Sequence, residues 1–331
     1  MSTFRPIPFA DLIRRVFYEY HKYGKILGMP KEKFFEPAPG VNLSVTYMGQ
    51  PAATPFGPAA GPHTQLAQNL VLAWLTGARI MELKTIQILD QLELPRPCID
   101  TENVGFNVEW SQELSLVESL REYVKAWMLI AMLKASELFG EEFSQHQCDT
   151  IFDLSLGYDF KGIKSEKIHA YLQGLKNATV TIDALRDEIP PEFAQFRKLA
   201  YDPQIIHSVT LSTFHGCPAD EIDHIVIYLL TEHQVNVIVK LNPTLLGQAE
   251  VAHLLHEVLG YRELALDPEA FTHDLQFDQA IDLTRSMFRT AASCGRTLGL
   301  KLTNTLVVKN QKGYFADDVM YLSGPPLHVL A

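Results

Sequence analysis

The sequence has few cysteines, and their spacing excludes several kinds of site. The four in 331 residues are Cys98, Cys148, Cys217 and Cys294, and no two of them form a C-x-x-C pair. A disulfide framework needs a denser set, and zinc and iron–sulfur sites need paired thiolates. The histidines also lack the H-x-x-x-H spacing of a helical metal site. We therefore predict no metal site and expect any redox cofactor bound by these residues to be organic.

Long apolar runs and clusters of basic residues are also missing. The longest apolar run lies between Lys125 and Lys134, whereas a membrane helix needs ~20 apolar residues. Arg5 and Asp11 stand where a signal peptide would have its apolar core. The formal net charge of −11, without a lysine- or arginine-rich cluster, argues against nucleic acid or an anionic membrane as a partner. We expect a cytoplasmic protein.

Apolar residues make up 47% of the chain, enough for a full core. From Phe56 onwards, predicted strands alternate with predicted helices, and no series of hairpins is evident. The six strands are centred on Phe56, Ile80, Ile151, Val209, Val237 and Leu300. A TIM (β/α)8-type barrel has eight such units, so we predict an α/β barrel of about six units in residues 41–331. Residues 1–40 are predicted to be a helical N-terminal extension, with a helix from Phe9 to Tyr23.

Polar side chains are concentrated where the predicted strands end. The stretch S-V-T-L-S-T-F-H-G-C-P, residues 208–218, alternates as a strand and then continues into Thr213 and Cys217. Lys84 and Lys240 end two other strands. Because ligands of such sheets bind at the carboxyl ends of the strands, we predict the functional site there.

Seven motifs at these positions carry a resemblance to a known family. They are T-P-F-G-P-A-A-G, E-L-K-T, F-N-V-E, S-V-T-L-S-T-F-H-G-C-P, V-I-V-K-L-N-P, L-T-N-T and S-G-P-P-L. In this order they resemble the flavin domain shared by dihydroorotate dehydrogenase and dihydropyrimidine dehydrogenase. The stretches G-P-H-T-Q-L-A-Q-N and W-S-Q-E-L more closely resemble the amino-terminal region of the selenate reductase-type subunit, a large bacterial flavin and iron–sulfur oxidoreductase.

The resemblance implies an FMN site. The residues that match its flavin-contacting positions are Ala59, Ala60, Gly61, Lys84, Thr85 and Lys240. Lys240 matches the lysine near N1 of the flavin, where a positive charge stabilises the anionic reduced ring. The residues that match the substrate-binding positions are Asn107, Glu109, Asn304 and Thr305.

The acid/base of the reaction has two candidates. The family carries a cysteine in N-L-S-C-P, whereas here Thr213 stands at the end of the strand and the pair Cys217–Pro218 follows four residues later. We prefer Cys217 and keep Thr213 as the alternative. A predicted helix start at Ala219 should lower the pKa of the Cys217 thiol. The competing interpretation is a buried structural cysteine.

The resemblance also implies what else the protein needs. In the family, glycine-rich loops after the seventh and eighth strands hold the FMN phosphate, and no such loops follow here, so we expect a fragment or a barrel completed by another polypeptide. A reductase domain or subunit is the expected electron donor, with iron–sulfur, FAD and NAD(P) sites only in parts of the family outside this chain. A small unsaturated molecule is the expected substrate. Two alternatives stay open: a class I aldolase with Lys240 as the Schiff-base lysine, and a non-catalytic scaffold of an electron-transfer complex.

Overall fold

A computed structural model describes residues 4–89, 92, 94–108, 113–139, 149–213 and 217–331. The chain forms two compact units. Unit 1 comprises Met1–Gln91, Gln112–Ser155 and Ser165–Val209, and unit 2 comprises Leu92–Ser111, Leu156–Lys164 and Thr210–Ala331.

The described elements are helices and strands in alternation, with several short strands added. The α-helices are α1 (Phe9–Tyr23), α2 (Ala67–Leu75), α3 (Leu116–Ala135), α4 (Phe160–Ile163), α5 (Glu166–Lys176), α6 (Thr179–Asp187), α7 (Ile222–Thr231), α8 (Gln248–Ala252), α9 (Pro268–His273), α10 (Phe277–Ser293) and α11 (Pro326–Leu330). The strands are β1 (Lys25–Ile26), β2 (Met29–Pro30), β3 (Val45–Tyr47), β4 (Gln50–Ala52), β5 (Ile80–Ile86), β6 (Ile99–Asp100), β7 (Gly105–Asn107), β8 (Ile151–Leu156), β9 (Ile206–Ser212), β10 (Asn236–Leu241), β11 (Leu298–Leu302), β12 (Leu306–Lys309) and β13 (Val319–Ser323). None of the helices in the described ranges is both long and apolar enough to cross a bilayer.

Helix α1 has the predicted bounds. Its apolar stripe is buried, including Leu12, Ile13 and Val16, because residues three and four apart share one face of a helix. Gly24 caps the helix directly after Tyr23, and its φ of 61° is the left-handed conformation that favours glycine. The assignment of residues 1–40 as a separate extension stays a prediction.

Five strands form one parallel sheet in the order β11-β10-β9-β8-β5. Unit 1 holds β5, nearly all of β8 and the first half of β9, and unit 2 holds the second half of β9 with β10 and β11. Among the described residues the sheet is open, with β5 and β11 at its edges. The predicted barrel class is therefore present as a parallel α/β sheet that does not close.

The predicted first strand, at Phe56, is not a regular strand, and that prediction was wrong in detail. The segment still lies alongside β5, because the amides of Arg79 and Glu82 donate to the carbonyls of Phe56 and Pro58 at 2.9 and 3.1 Å. Proline has no N–H to return such bonds, and two prolines fall in residues 55–58. Gly57 permits the close approach, since a Cβ there would lie 1.6 Å from the carbonyl oxygen of Ile80.

The absence of hairpins was also a wrong prediction. Unit 2 contains a four-stranded antiparallel sheet in the order β12-β13-β7-β6. Asn107 is the last residue of β7 and pairs with Ile99 and Tyr321. Strands of two or three residues, such as β6 and β7, are too short to show the period-two alternation from which strands are predicted.

Candidate functional site

In unit 1, the small-residue segment Ala59–Gly61 is fixed beside β5. The carboxylate of Glu82, only 3% exposed, accepts a hydrogen bond from the amide of Ala60 at 2.9 Å. The ring of His63 lies over Gly61, where a Cβ would come within 2.6 Å of the imidazole Cε1. Ala59 is exposed. The result is a stretch of backbone with little side-chain bulk whose position is set by a buried carboxylate.

Lys84 and Thr85 lie at the carboxyl end of β5 and are both buried. Burial of the His63 ring, and secondarily the charge of Lys84, lower the pKa of His63. The Thr85 hydroxyl shares a hydrogen bond with the Ser155 hydroxyl at 2.8 Å, which links β5 to β8. The charge of Lys84 therefore acts on His63, whose ring lies over Gly61. The Thr85 side chain instead bonds β5 to β8.

The sequence analysis missed the buried carboxylates of Glu82 and Asp153 in unit 1. Besides Glu82, Asp153 on β8 is 1% exposed and accepts a hydrogen bond from the Ser208 hydroxyl at 2.5 Å. Burial raises the pKa of the Tyr47 hydroxyl, and Asp153 and Glu82 raise it further. The signal was present in the sequence, because a polar residue interrupts an apolar strand at each position.

In unit 2, a cavity of about 320 Å³ is lined by residues that follow β9 and β10. Thr213 and Cys217 come from the β9 side, and Asn242 follows β10 directly. His273 and Asp274, at the end of α9, complete the polar part of the lining. This is the carboxyl end of the strands, where ligands of parallel α/β sheets bind.

A hydrogen-bond network connects three of the predicted residues in unit 2. The Thr213 hydroxyl donates to the backbone carbonyl of Lys240 at 2.7 Å, and the Asn304 amide donates to the same carbonyl at 2.9 Å. The Asn304 amide also donates to the side-chain oxygen of Asn242 at 2.8 Å. Asn242 was not among the predicted site residues, although it stands in the V-I-V-K-L-N-P motif.

The structure contradicts the expected acidity of Cys217. Burial of the Cys217 thiol, with smaller contributions from Glu221 and Asp159, raises its pKa to about 12. Pro218 and a 3₁₀ turn, Ala219–Glu221, separate Cys217 from helix α7, which begins at Ile222. The positive end of a helix dipole acts only within about one turn, so the nearby carboxylates and burial dominate. The thiol stays protonated at neutral pH.

Lys240 is 8% exposed near the end of β10. In the parallel pairing of β10 with β11 it is in register with Lys301. Registered residues on neighbouring strands project from the same face of a sheet. The two lysines therefore share one face, and Lys301 is half-buried.

The remaining predicted substrate residues are not in this network. The Asn107 amide donates to the carbonyl of Val108 at 2.7 Å and its oxygen accepts from the Ser323 hydroxyl at 3.1 Å. Thr305 is half-buried and directly follows Asn304. Glu109 lies outside the described residues. Within unit 2 the structure thus joins Thr213, Lys240 and Asn304, and ties Asn107 to β13.

Comparison with known proteins gives the family. The family model of the oxidoreductase YgfK N-terminal TIM-barrel domain matches residues 27–331. The chain is 41% identical over 355 aligned positions to the protein named "Putative oxidoreductase YgfK" of Escherichia coli strain K12, and equally to its counterpart in strain O157:H7. The alignments cover 99% of this chain and 33% of each relative, so the chain spans about a third of their length. The match over most of the chain and the parallel α/β sheet agree, and the chain belongs to the family of YgfK oxidoreductase N-terminal TIM-barrel domains.

Proposed function

We propose that this chain is an FMN-dependent oxidoreductase domain that passes electrons through the flavin to a small unsaturated substrate. Membership of an oxidoreductase family supports the oxidoreductase part. The observation that carries the flavin part is the segment Ala59–Gly61, with its backbone held by Glu82 and with Lys84 at the end of the adjacent strand.

These unit 1 residues fit a flavin. A planar ring needs a surface without large side chains, and Ala59 offers only an exposed methyl group. The bond from Ala60 to Glu82 keeps that surface in place before a ligand arrives. Bound FMN would supply two-electron chemistry, and the ammonium of Lys84 would offset the negative charge of a reduced ring. For Thr85 we propose a backbone contact, since its hydroxyl bonds Ser155.

In unit 2, we assign Lys240 a charge-compensating role toward the flavin, as the resemblance implies. We assign Asn304 and Thr305 to substrate binding, together with Asn107 and Glu109. The Asn304 amide is held by its hydrogen bond to the carbonyl of Lys240. This supports the assignment, because an amide that orients a substrate must keep one orientation. The bonds of Asn107 to Val108 and Ser323 fix its amide in the same way.

Cys217 is the better proton donor of the two acid/base candidates. Its raised pKa keeps the thiol protonated, as a general acid must be before it reacts, and at the same time makes the thiol a weak acid at neutral pH. The hydroxyl proton of Thr213 is already directed at the carbonyl of Lys240. We therefore assign proton delivery to Cys217 and a structural bond to Thr213.

The electron donor is proposed to be a reductase domain or subunit. The relatives have about two-thirds of their length outside the alignment with this chain, which is room for iron–sulfur, FAD or NAD(P) sites. The family assignment argues against the aldolase alternative, since it names an oxidoreductase. FMN binding distinguishes the scaffold alternative from the proposed function, because a scaffold would bind no flavin.

An absorbance titration with FMN tests this proposal. We expect the visible flavin bands to shift on binding to the wild-type protein. Ala59→Leu should abolish the shift, because the larger side chain would occupy the proposed ring surface. Ala135→Leu is the matched control, since Ala135 is an exposed alanine at the end of α3. A protein that leaves the bands unchanged at saturating FMN, or equal binding by Ala59→Leu and the wild type, would contradict the proposal.

A further inference from the structure

The unit 2 network fixes which way the Asn242 side chain is turned. The backbone carbonyl of Lys240 can only accept, so the Asn304 atom at 2.9 Å must be its Nδ2. The same NH2 group donates to Asn242 at 2.8 Å, so the Asn242 atom there must be its Oδ1. The Thr213 hydroxyl stands 3.5 Å from the same oxygen. The orientation is thus set by a main-chain group two hydrogen bonds away.

This orientation leaves the NH2 group of Asn242 available. Asn242 is 9% exposed and lines the cavity of about 320 Å³. Its NH2 group makes no hydrogen bond to the part of the chain that the structure describes. The group is open to the cavity, and a hydrogen bond from it to an accepting ligand atom would add about 0.5–1.5 kcal/mol to binding.

The charges around the cavity restrict the ligand. Asp274 lines it, with one carboxylate oxygen accepting from the Thr244 hydroxyl at 2.7 Å. Glu221 and Asp159 act electrostatically on Cys217, which also lines it. Within the described residues, no lysine or arginine lines the cavity. The charged groups named here are all acidic, and their negative charge opposes anions.

We propose that this cavity binds a small uncharged molecule through a carbonyl oxygen that accepts from the NH2 group of Asn242, and that it excludes oxyanions. The volume is at the lower end of the range for ligand pockets and suits a single ring. Leu241 and Leu245 supply apolar contact for such a ring. That the bound molecule is the substrate rests on the proposed function, whereas its charge class and its contact with Asn242 rest on the cavity alone.

Fluorine NMR with a fluoropyridone tests this ligand class. The probe is an uncharged ring with a lactam carbonyl, and fluorobenzene is a ring of similar size without one. In Asn242→Asp, the side chain keeps an acceptor for Asn304 but loses the NH2 donor. We expect fluoropyridone affinity to fall at least tenfold in this variant, and fluorobenzene affinity to stay within about twofold. Asn236→Asp is the matched control, because its oxygen accepts from the amide of Thr297 at the other end of β10.

The same titration includes selenate and sulfate as competitors. We expect neither oxyanion to displace the fluoropyridone, and we expect Asp274→Asn to increase their ability to do so. Three results would overturn the inference: no fluoropyridone binding to the wild type, equal affinity in Asn242→Asp, or displacement of the probe by either oxyanion. The measurement needs no flavin. If FMN does not bind but Asn242→Asp still weakens fluoropyridone binding, the proposed function alone is refuted. If FMN binds but Asn242→Asp leaves fluoropyridone affinity unchanged, this inference alone is refuted.

Discussion

The side-chain amide of Asn304 donates to the backbone carbonyl of Lys240 across a sequence separation of 64 residues. The residue that the family resemblance assigns to the substrate is therefore held by the strand that carries the predicted flavin lysine. A change at Asn304 should disturb the end of β10 as well as any ligand.

Asn304→Asp should destabilise the protein. The residue is 5% exposed, and a carboxylate there would face two acceptors, the carbonyl of Lys240 and the oxygen of Asn242. We expect a loss of about 1–3 kcal/mol in the free energy of unfolding, measured by urea denaturation. Thr305→Ser, at the next position, should change it by less than about 0.5 kcal/mol. Equal stability of both variants would mean that the network contributes nothing.

The Cys217 thiol should resist alkylation. With its pKa raised from 9.0 to about 12, iodoacetamide labelling followed by mass spectrometry should remain slow at pH 8 to 9 and rise only above it. Glu221→Gln removes one of the raising charges and keeps an acceptor for the amide of Phe160, so labelling should accelerate. Labelling that reaches its plateau near pH 8 would contradict the buried, carboxylate-flanked environment.

The same raised pKa has a consequence for stability. Between pH 9 and about 12 the thiol ionises in the unfolded chain before it ionises in the folded protein, so the folded state binds more protons. Stability from this group is complete below pH 9 and is lost as the pH rises through that window. Cys217→Ala should make the free energy of unfolding fall less steeply with pH above pH 9. An unchanged dependence on pH would count against a raised pKa of Cys217.

Lys84→Met should raise the pKa of His63. Burial is the larger cause of its lowered pKa and the charge of Lys84 the smaller, so removal of the charge should bring the pKa only partly back toward its usual value. An NMR titration of the His63 ring protons measures this shift. Lys161→Met, an exposed lysine in α4, is the control. An identical titration in Lys84→Met and the wild type would show that Lys84 does not act on the ring.

Gly57→Ala should destabilise unit 1 more than an ordinary glycine substitution. The added methyl would lie 1.6 Å from the Ile80 carbonyl oxygen, so the segment must move away from β5 at a cost of about 3 kcal/mol. Gly105→Ala is the matched control, because its nearest contact is 3.4 Å. Chemical denaturation of the two variants compares them directly. A Gly57→Ala protein as stable as Gly105→Ala would show that the segment is not confined.

Lys240→Ala should abolish reduction of bound FMN in the complete protein with its reductase, because the resemblance assigns to Lys240 the charge near N1 of the reduced ring. Lys301→Ala, the registered neighbour on β11, should retain most of it. Stopped-flow absorbance follows the reduction. Wild-type reduction in Lys240→Ala would refute the flavin role, and trapping of a carbonyl compound on Lys240 by borohydride would instead support the aldolase alternative.

The parts of the fold that were predictable have a strong local pattern. Helix α1 was predicted at its observed bounds because its apolar stripe has a clear 3.6-residue period. Strand β10 was predicted because Val237 and Val239 stand in a continuous apolar run. The segment beside β5 and the sheet containing β7 were not predictable in detail, since prolines and very short strands hide the pattern.

The parts of the site that were not predictable depend on residues far apart in the sequence. Asn242 and Asn304 are 62 residues apart, and no local pattern shows that their amides meet. The pKa of Cys217 was predicted with the wrong sign because burial of the thiol, and secondarily the charges of Glu221 and Asp159, raise it. The strand-end pattern identified residues that lie at the carboxyl edge of the sheet, whereas the protonation states and amide orientations follow only from the folded contacts.

Strand β11 also affects how the protein must be handled. It pairs with β10 on one side only within the described chain, and Leu300 and Leu302 are 43% and 55% exposed. A free strand edge flanked by apolar side chains is a template for pairing between molecules, and here Lys301 is the charge that opposes it. We therefore expect concentrated samples to associate reversibly through β11 and dilute samples to stay monodisperse.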